Sequence, residues 1–306
     1  MNMKKTFLLI IGIFVIVPHF SDAQRLRNRW KAMRGELNIG IGASNFLGEL
    51  GGANQVGTHF FKDFEFSQTR PAFQIGYRYK LSKAIAVNPH FTYGKVAGDD
   101  KLTEEFFRNY RNLSFESPIY ELNTNFEFAF IKEQVGHRYR LRGVKGQRGY
   151  EMMAYGFVGV GVFHFNPKAK ITENGQSYNL HDLSTEGQGL VETRKKYSRT
   201  QFCIPVGFGF KYTISRRWGI GIEYGIRKTF TDYIDDASRT YFDKNILLQQ
   251  VGYESYVLSD RSNGVYPYIT APGAQRGDPR YTDTYMFGVV TINYKIRTGR
   301  QSYPLF

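Results

Sequence analysis

Read two residues at a time, much of this chain sorts into two faces. Between 218 and 227, Trp218, Ile220, Ile222, Tyr224 and Ile226 share one face, while Gly219, Gly221, Glu223, Gly225 and Arg227 share the other. A period of two is the mark of a β-strand. The same alternation sets Leu37, Ile39 and Ile41 against Glu36, Asn38 and Gly40, and Phe73, Ile75, Tyr77 and Tyr79 against Gln74, Gly76, Arg78 and Lys80. It returns with Ile85, Val87, Phe91 and Tyr93; with Tyr120, Leu122, Phe126, Phe128 and Phe130; and with Val158, Val160 and Val162. The last two segments place Phe202, Ile204, Val206, Phe208, Phe210 and Tyr212, then Val290, Ile292, Tyr294 and Ile296, on their apolar faces.

These segments predict eight strands of roughly 8–13 residues, which brackets the 9–11 that a tilted strand needs to cross a bilayer. An even count suits closure into an antiparallel barrel, and closure leaves no unpaired backbone edge in lipid. The connections alternate as well. Those at 81–83 and 215–216 are short, and those at about 44–70, 95–117, 165–200 and 228–283 are long; a longer turn at about 132–152 breaks the rule. The predicted fold is all-β: an eight-stranded antiparallel transmembrane β-barrel with long extracellular loops and short periplasmic turns. A soluble barrel with the apolar face inward is the other arrangement of these strands. It would put a glycine-rich, charge-poor face into water.

The glycines of 216–228 superficially suggest the G-x-G-x-x-G loop that cradles a dinucleotide phosphate. The spacing fails, because three residues separate Gly221 from Gly225, and no strand–loop–helix unit surrounds them. In a narrow barrel they have a different use. An eight-stranded interior is filled by side chains, and inward glycines make room for longer neighbours. Those neighbours are Glu36, Glu121, Glu127 and Glu223, with Arg78, Lys80, Lys211, Arg227 and Lys295. Charges facing so tight a space must pair. A mutually neutralising plug, and hence a closed lumen, is expected. Pro89 and Pro205 each remove a ladder donor, so bulges or local irregularity are expected there.

Composition agrees with strands. Aromatics make up 16% of the chain and there are 32 glycines. The first residues, MNMKKTFLLIIGIFVIVPHFSDAQ, read as a secretory signal peptide cut after Ala23. This divides the chain into 1–23, a basic periplasmic segment 24–35, the barrel 36–297 and a tail 298–306. The expected place is a Gram-negative outer membrane with both termini periplasmic. The single cysteine, Cys203, excludes an internal disulfide and reads as a small strand residue.

The 306-residue chain carries a formal net charge of +14, and the excess is not in the long loops, where acids and bases nearly balance. It gathers at the predicted periplasmic end, in Arg25, Arg27 and Arg29 and in Arg138, Arg140, Arg142, Lys145 and Arg148 of the middle turn. Such a face could dock an acidic protein, anionic headgroups or cell-wall polymer, or simply be a solvated rim. No nucleic-acid motif accompanies it. Asp232, Asp235 and Asp236 form a weak Ca²⁺ candidate that lacks the EF-hand order and glycine turn. No zinc spacing, H-E-x-x-H or G-x-S-x-G is present, so no catalytic constellation and no cofactor are expected.

Several loop and strand segments go beyond a generic barrel: NFLGELGG (45–52), TRPAFQIGYRYKL (69–81), GDDK (98–101), RNLSFESPIYEL (111–122), FHFNPKA (163–169), STEGQG (184–189), IPVGFGFKY (204–212) and TFTDYIDDAS (229–238). They resemble the PorG family, outer-membrane barrels of the Bacteroidetes type IX secretion system. The likeness runs from about 36 to 297. It leaves out the basic N-terminal segment, the sequence of the middle turn and the tail. The resemblance implies a non-enzymatic role beside a periplasmic ring of the lipoprotein PorK and its partner PorN. It further implies contact with outer-membrane lipid and with other outer-membrane components of that system, in protein export and, in some species, gliding. The competing expectations are a surface adhesin working through 165–200 and 228–283, and a small diffusion pore.

Overall fold

The computed structural model describes residues 31, 33–48, 50, 68–133, 151–171, 173, 175–215 and 217–296. Ten strands follow in chain order: β1 Gly35–Leu47, β2 Arg70–Lys80, β3 Ile85–Asp99, β4 Ser114–Ile131, β5 Met152–Phe165, β6 Lys168–Lys170, β7 Ser177–Asn179, β8 Thr200–Thr213, β9 Trp218–Thr229 and β10 Thr284–Ile296. All but β6 and β7 close into an eight-stranded antiparallel barrel. β1 joins β10 on one side and β2 on the other, and β3 pairs with β4 to complete the ring. The short pair β6–β7 hangs from β4 through Glu116 and Lys168.

The strands are staggered. The register can be followed from Gly35 through Tyr79, Val87, Phe126, Val158, Val206, Ile226 and Met286, and it returns to β1 at Asn45 rather than at Gly35. That offset is the shear of the barrel and forces its strands to tilt. Tight turns join β2 to β3 and β8 to β9: Leu81 donates its backbone N–H to Ile85, and Ile214 donates to Trp218.

The prolines bring the local irregularity expected of them, but no bulge. The ladder between β2 and β3 lapses beside Pro89, and that between β5 and β8 lapses beside Pro205, yet the register on either side is unchanged. Losing one donor interrupts a ladder without requiring an extra residue. The shift that does occur lies elsewhere, between Ala129 and Ile131 where β4 meets β5.

Two strands outrun a bilayer. β4 has 18 residues and β3 has 15, against about 9–11 for a crossing. Their surplus stands at the long-loop end. There the loops fold into a cap with short helices α1 Phe106–Arg111, α2 Leu180–Leu183, α3 Lys244–Gln250 and α4 Tyr253–Ser259. Phe46, Phe163, Phe165, Ile234, Leu258 and Phe287 belong to one buried apolar cluster that joins the cap to the barrel rim. No helix among the described residues is long and apolar enough to cross a membrane.

Candidate functional site

The barrel turns its apolar face outward. Ile41 is 71% exposed, Leu122 65% and Val160 64%, and Phe73, Phe208, Ile222 and Ile292 share the same outer surface. Water would penalise such a continuous band, whereas lipid does not. Aromatics mark its edges. Trp218 and Tyr294 pack 4.8 Å apart beside the β8–β9 turn, and Tyr93 and Tyr120 pack 5.1 Å apart toward the loops. Aromatic girdles of this kind sit at both membrane–water interfaces.

The predicted charges face inward and are buried. Arg78 is the hub: Nη1 meets Glu36 at 2.9 Å, Nε meets Glu127 at 2.6 Å and Nη2 meets Glu223 at 2.9 Å. Arg78 also donates to the Tyr155 hydroxyl at 2.6 Å, and that hydroxyl donates to Glu223. Asn88 donates to Glu127 and Gln74 to Glu223, so the remaining carboxylate oxygens are also occupied. Lys211 joins Glu36 at 2.7 Å. Nearer the loops, Arg227 reaches Glu121 at 3.2 Å and stacks on Phe287, while Tyr285 donates to Glu121 at 2.7 Å.

One member was not anticipated. Glu133 follows β4 and enters the lumen, where Lys80, Lys211 and Lys295 gather round it. The sequence left four inward acids against five bases, and Glu133 supplies the fifth acid. It keeps the odd count of Glu121 and Glu127, a signal hidden by its place in the middle turn. Tyr155 and Tyr285 were also missed, because each lies outside the stretch of alternation that defined its strand.

The inward glycines are needed where large side chains cross the lumen. A Cβ on Gly209 would fall on the ring of Tyr155, and one on Gly225 would stand 2.8 Å from Phe157. Cys203 is buried on the same inward surface, with Tyr285 beside it.

The cap holds a second set of buried charges. Arg276 meets Glu186 at 3.0 Å and also contacts Asp236. Glu186 accepts the backbone N–H groups of Ser238 and Arg239. Asp236 accepts from Tyr197 at 2.8 Å and from Thr185. Burial pushes the Asp236 carboxyl up to about 6, although Arg276 pulls the other way. A further pair, Arg111 with Asp100 at 2.7 Å, links α1 to the end of β3, and Arg111 donates to the Arg276 carbonyl.

Two of the three calcium-candidate aspartates have partners within the protein. Asp235 accepts from the backbone of Ala237 and Leu50, and Asp236 faces Thr185, Tyr197 and Arg276. The Asp235 and Asp236 carboxylates are thus spent on separate protein donors. Among the described residues, no group of three His, Cys, Asp or Glu side chains could hold a metal ion. The expected docking residues Arg25, Arg27, Arg29, Arg138, Arg140, Arg142, Lys145 and Arg148 lie outside the described residues, as do the signal peptide and the tail.

An aromatic patch remains exposed on the cap. Phe106, Phe107, Tyr266 and Tyr268 cluster there, with Phe106 and Tyr266 rings 5.6 Å apart. On the flank, the β6–β7 pair overhangs a groove of about 560 Å³ against β3 and β4.

Residues 24–249 match the family described as "Domain of unknown function (DUF6089)". No curated protein matches the chain. Among solved structures, Neisserial surface protein A is similar at 8% identity and a TM-score of 0.40, covering 86% of this chain and 97% of that one. Ail, the attachment invasion locus protein of Yersinia pestis, solved with the heparin analogue sucrose octasulfate, is similar at 11% identity and a TM-score of 0.36, covering 86% and 100%. The outer membrane protein OprG from Pseudomonas aeruginosa is similar at 9% identity and a TM-score of 0.34, covering 87% and 98%.

Proposed function

We propose that this chain, which belongs to the DUF6089 family, is a non-enzymatic outer-membrane barrel of a protein-export machine of the type IX kind, anchoring or positioning a periplasmic ring. The observation that carries this reading is the closed interior. Arg78, with three carboxylates and Tyr155 around it, fills the lumen where a channel would run. A barrel filled in this way works through its surfaces rather than as a conduit. The segments resembling the PorG family supply the machine, and the basic turn-side residues supply a docking face. In this reading the turns and termini are periplasmic, and the partners are a PorK-type lipoprotein and its PorN-type companion.

The test is purification of a tagged protein from native outer membranes in mild detergent, followed by mass spectrometry. Ring proteins in stoichiometric yield are expected. Charge reversal at Arg138, Arg140 and Arg142 should reduce that yield. A barrel that is stable and always alone would overturn the reading.

A surface-binding role is the second reading, and the exposed aromatic patch of Phe106, Phe107, Tyr266 and Tyr268 favours it. Binding of cells to a surface that survives deletion of the export machine but not truncation of 263–268 would support this role.

A further inference from the structure

The groove on the barrel flank has its own chemistry. Tyr93 and Tyr120 are cross-strand partners on β3 and β4, and below them lies the apolar band with Phe91 and Leu122. Immediately above that pair the outer surface changes character. Lys95 and Glu116 form an ion pair at 2.8 Å, with both side chains more than 40% exposed. Arg70 lines the same groove from β2, and Lys168 and Lys170 line it from the overhanging β6. Neither Lys168 nor Lys170 holds a salt bridge among the described residues. Four cations, Arg70, Lys95, Lys168 and Lys170, therefore line the groove with two carboxylates, Glu116 and Asp99, leaving an excess of positive charge.

Position identifies the ligand. The groove opens on the same outward side as the lipid-facing band, one step past its aromatic edge and on the side of the loops. In a bilayer that level is occupied by the headgroups of the outer leaflet. Cations there attract anionic headgroups at about 1 kcal/mol each, and lysine is a point-charge binder of phosphate.

We propose that this groove binds the phosphorylated headgroup of an outer-leaflet glycolipid, with Lys95, Lys168 and Lys170 on the phosphates and Tyr93 and Tyr120 against the start of the acyl region. The proposal rests on the membrane placement proposed above and is independent of the export role. A lipid held there would fix the height and rotation of the barrel. It would also lock the β6–β7 pair, and through it the cap, to the membrane surface.

The test uses the full chain in nanodiscs and in detergent, with native mass spectrometry of bound lipid. The probe is a disaccharide lipid carrying two phosphates, compared with its dephosphorylated form. The wild type should retain the phosphorylated lipid at least about tenfold better, on the scale set by removing three cations from phosphate. The variant Lys95→Gln/Lys168→Gln/Lys170→Gln should lose that preference. Lys228→Gln, an exposed cation on β9, should keep it. Equal retention by the triple variant would overturn the proposal. So would complete displacement by inorganic pyrophosphate, which would mark a site for free anions. A chain that folds but does not enter nanodiscs would overturn the membrane placement itself, and the proposal with it.

Discussion

The barrel and its cap turn opposite kinds of side chain outward. Inside the barrel the central contacts are ion pairs, with Arg78, Glu36 and Lys211 each at 1% exposure or less; Phe157, Phe163 and Phe287 pack inside with them, while Ile41, Leu122 and Val160 point out. In the cap the order is the usual one: Ile234, Leu247 and Leu258 are inside. One chain thus builds two regions of reversed sense. The difference lies in the surroundings. Lipid rewards apolar side chains on the barrel exterior and leaves room for polar groups in the interior, whereas the cap meets water and hides its apolar groups. Burying charge is costly in either region. In both, the charges are paired and the leftover oxygens are hydrogen-bonded, as for Glu127 with Asn88 and Glu186 with Ser238.

The comparison can be broken most severely at its hub. Arg78→Leu leaves Glu36, Glu127 and Glu223 facing one another without their shared cation, and should cost about 3–5 kcal/mol. Unfolding in urea, followed by the heat-dependent gel mobility of the barrel, reads this. The cap should keep its fold in any barrel that forms. Next comes the reverse experiment. Ile234→Ala opens a cavity in the cap core and should cost about 2–5 kcal/mol locally. Limited proteolysis should then cut the loops while the strands stay protected. If cutting were unchanged, the cap core would not be a separate unit.

Ile222→Arg tests the exterior. On a lipid-facing midplane it should cost about 2–4 kcal/mol, whereas on a water-facing surface it would be almost neutral. The smallest effect is a pH dependence confined to the cap. Asp236 has its folded pKa raised to about 6, above its unfolded value near 3.8. Its contribution is therefore fully present below pH 3.8 and is lost as pH rises through 6, amounting to at most about 3 kcal/mol. Hydrogen exchange across 230–260 should slow between pH 7 and pH 5 on account of this group, with little change in the strands. Asp236→Asn should flatten the profile.

Periodicity alone made the barrel legible. Eight alternating segments gave the strand count, the inward set from Glu36 to Lys295, and the position of the long loops. It also gave the general purpose of the inward glycines, room for longer neighbours, while the structure showed that the neighbour of Gly209 is Tyr155 and that of Gly225 is Phe157. Alternation is a local property fixed by the geometry of the strand, so it can be read without knowing what lies opposite. What pairs with what is not local. Glu133 lies in a turn that no period covers, yet it balances the lysines of β2, β8 and β10 because closure brings those strands round it. Asp236 stands beside two other aspartates in sequence, which suggested a metal. The fold instead turns it to Arg276, 40 residues away. The flank groove depends likewise on β6 returning over β3 and β4. The sequence determined which side chains face in and which face out; only closure of the barrel and folding of the cap decided their partners, because a contact between distant segments is set by register and chain path rather than by neighbours along the chain.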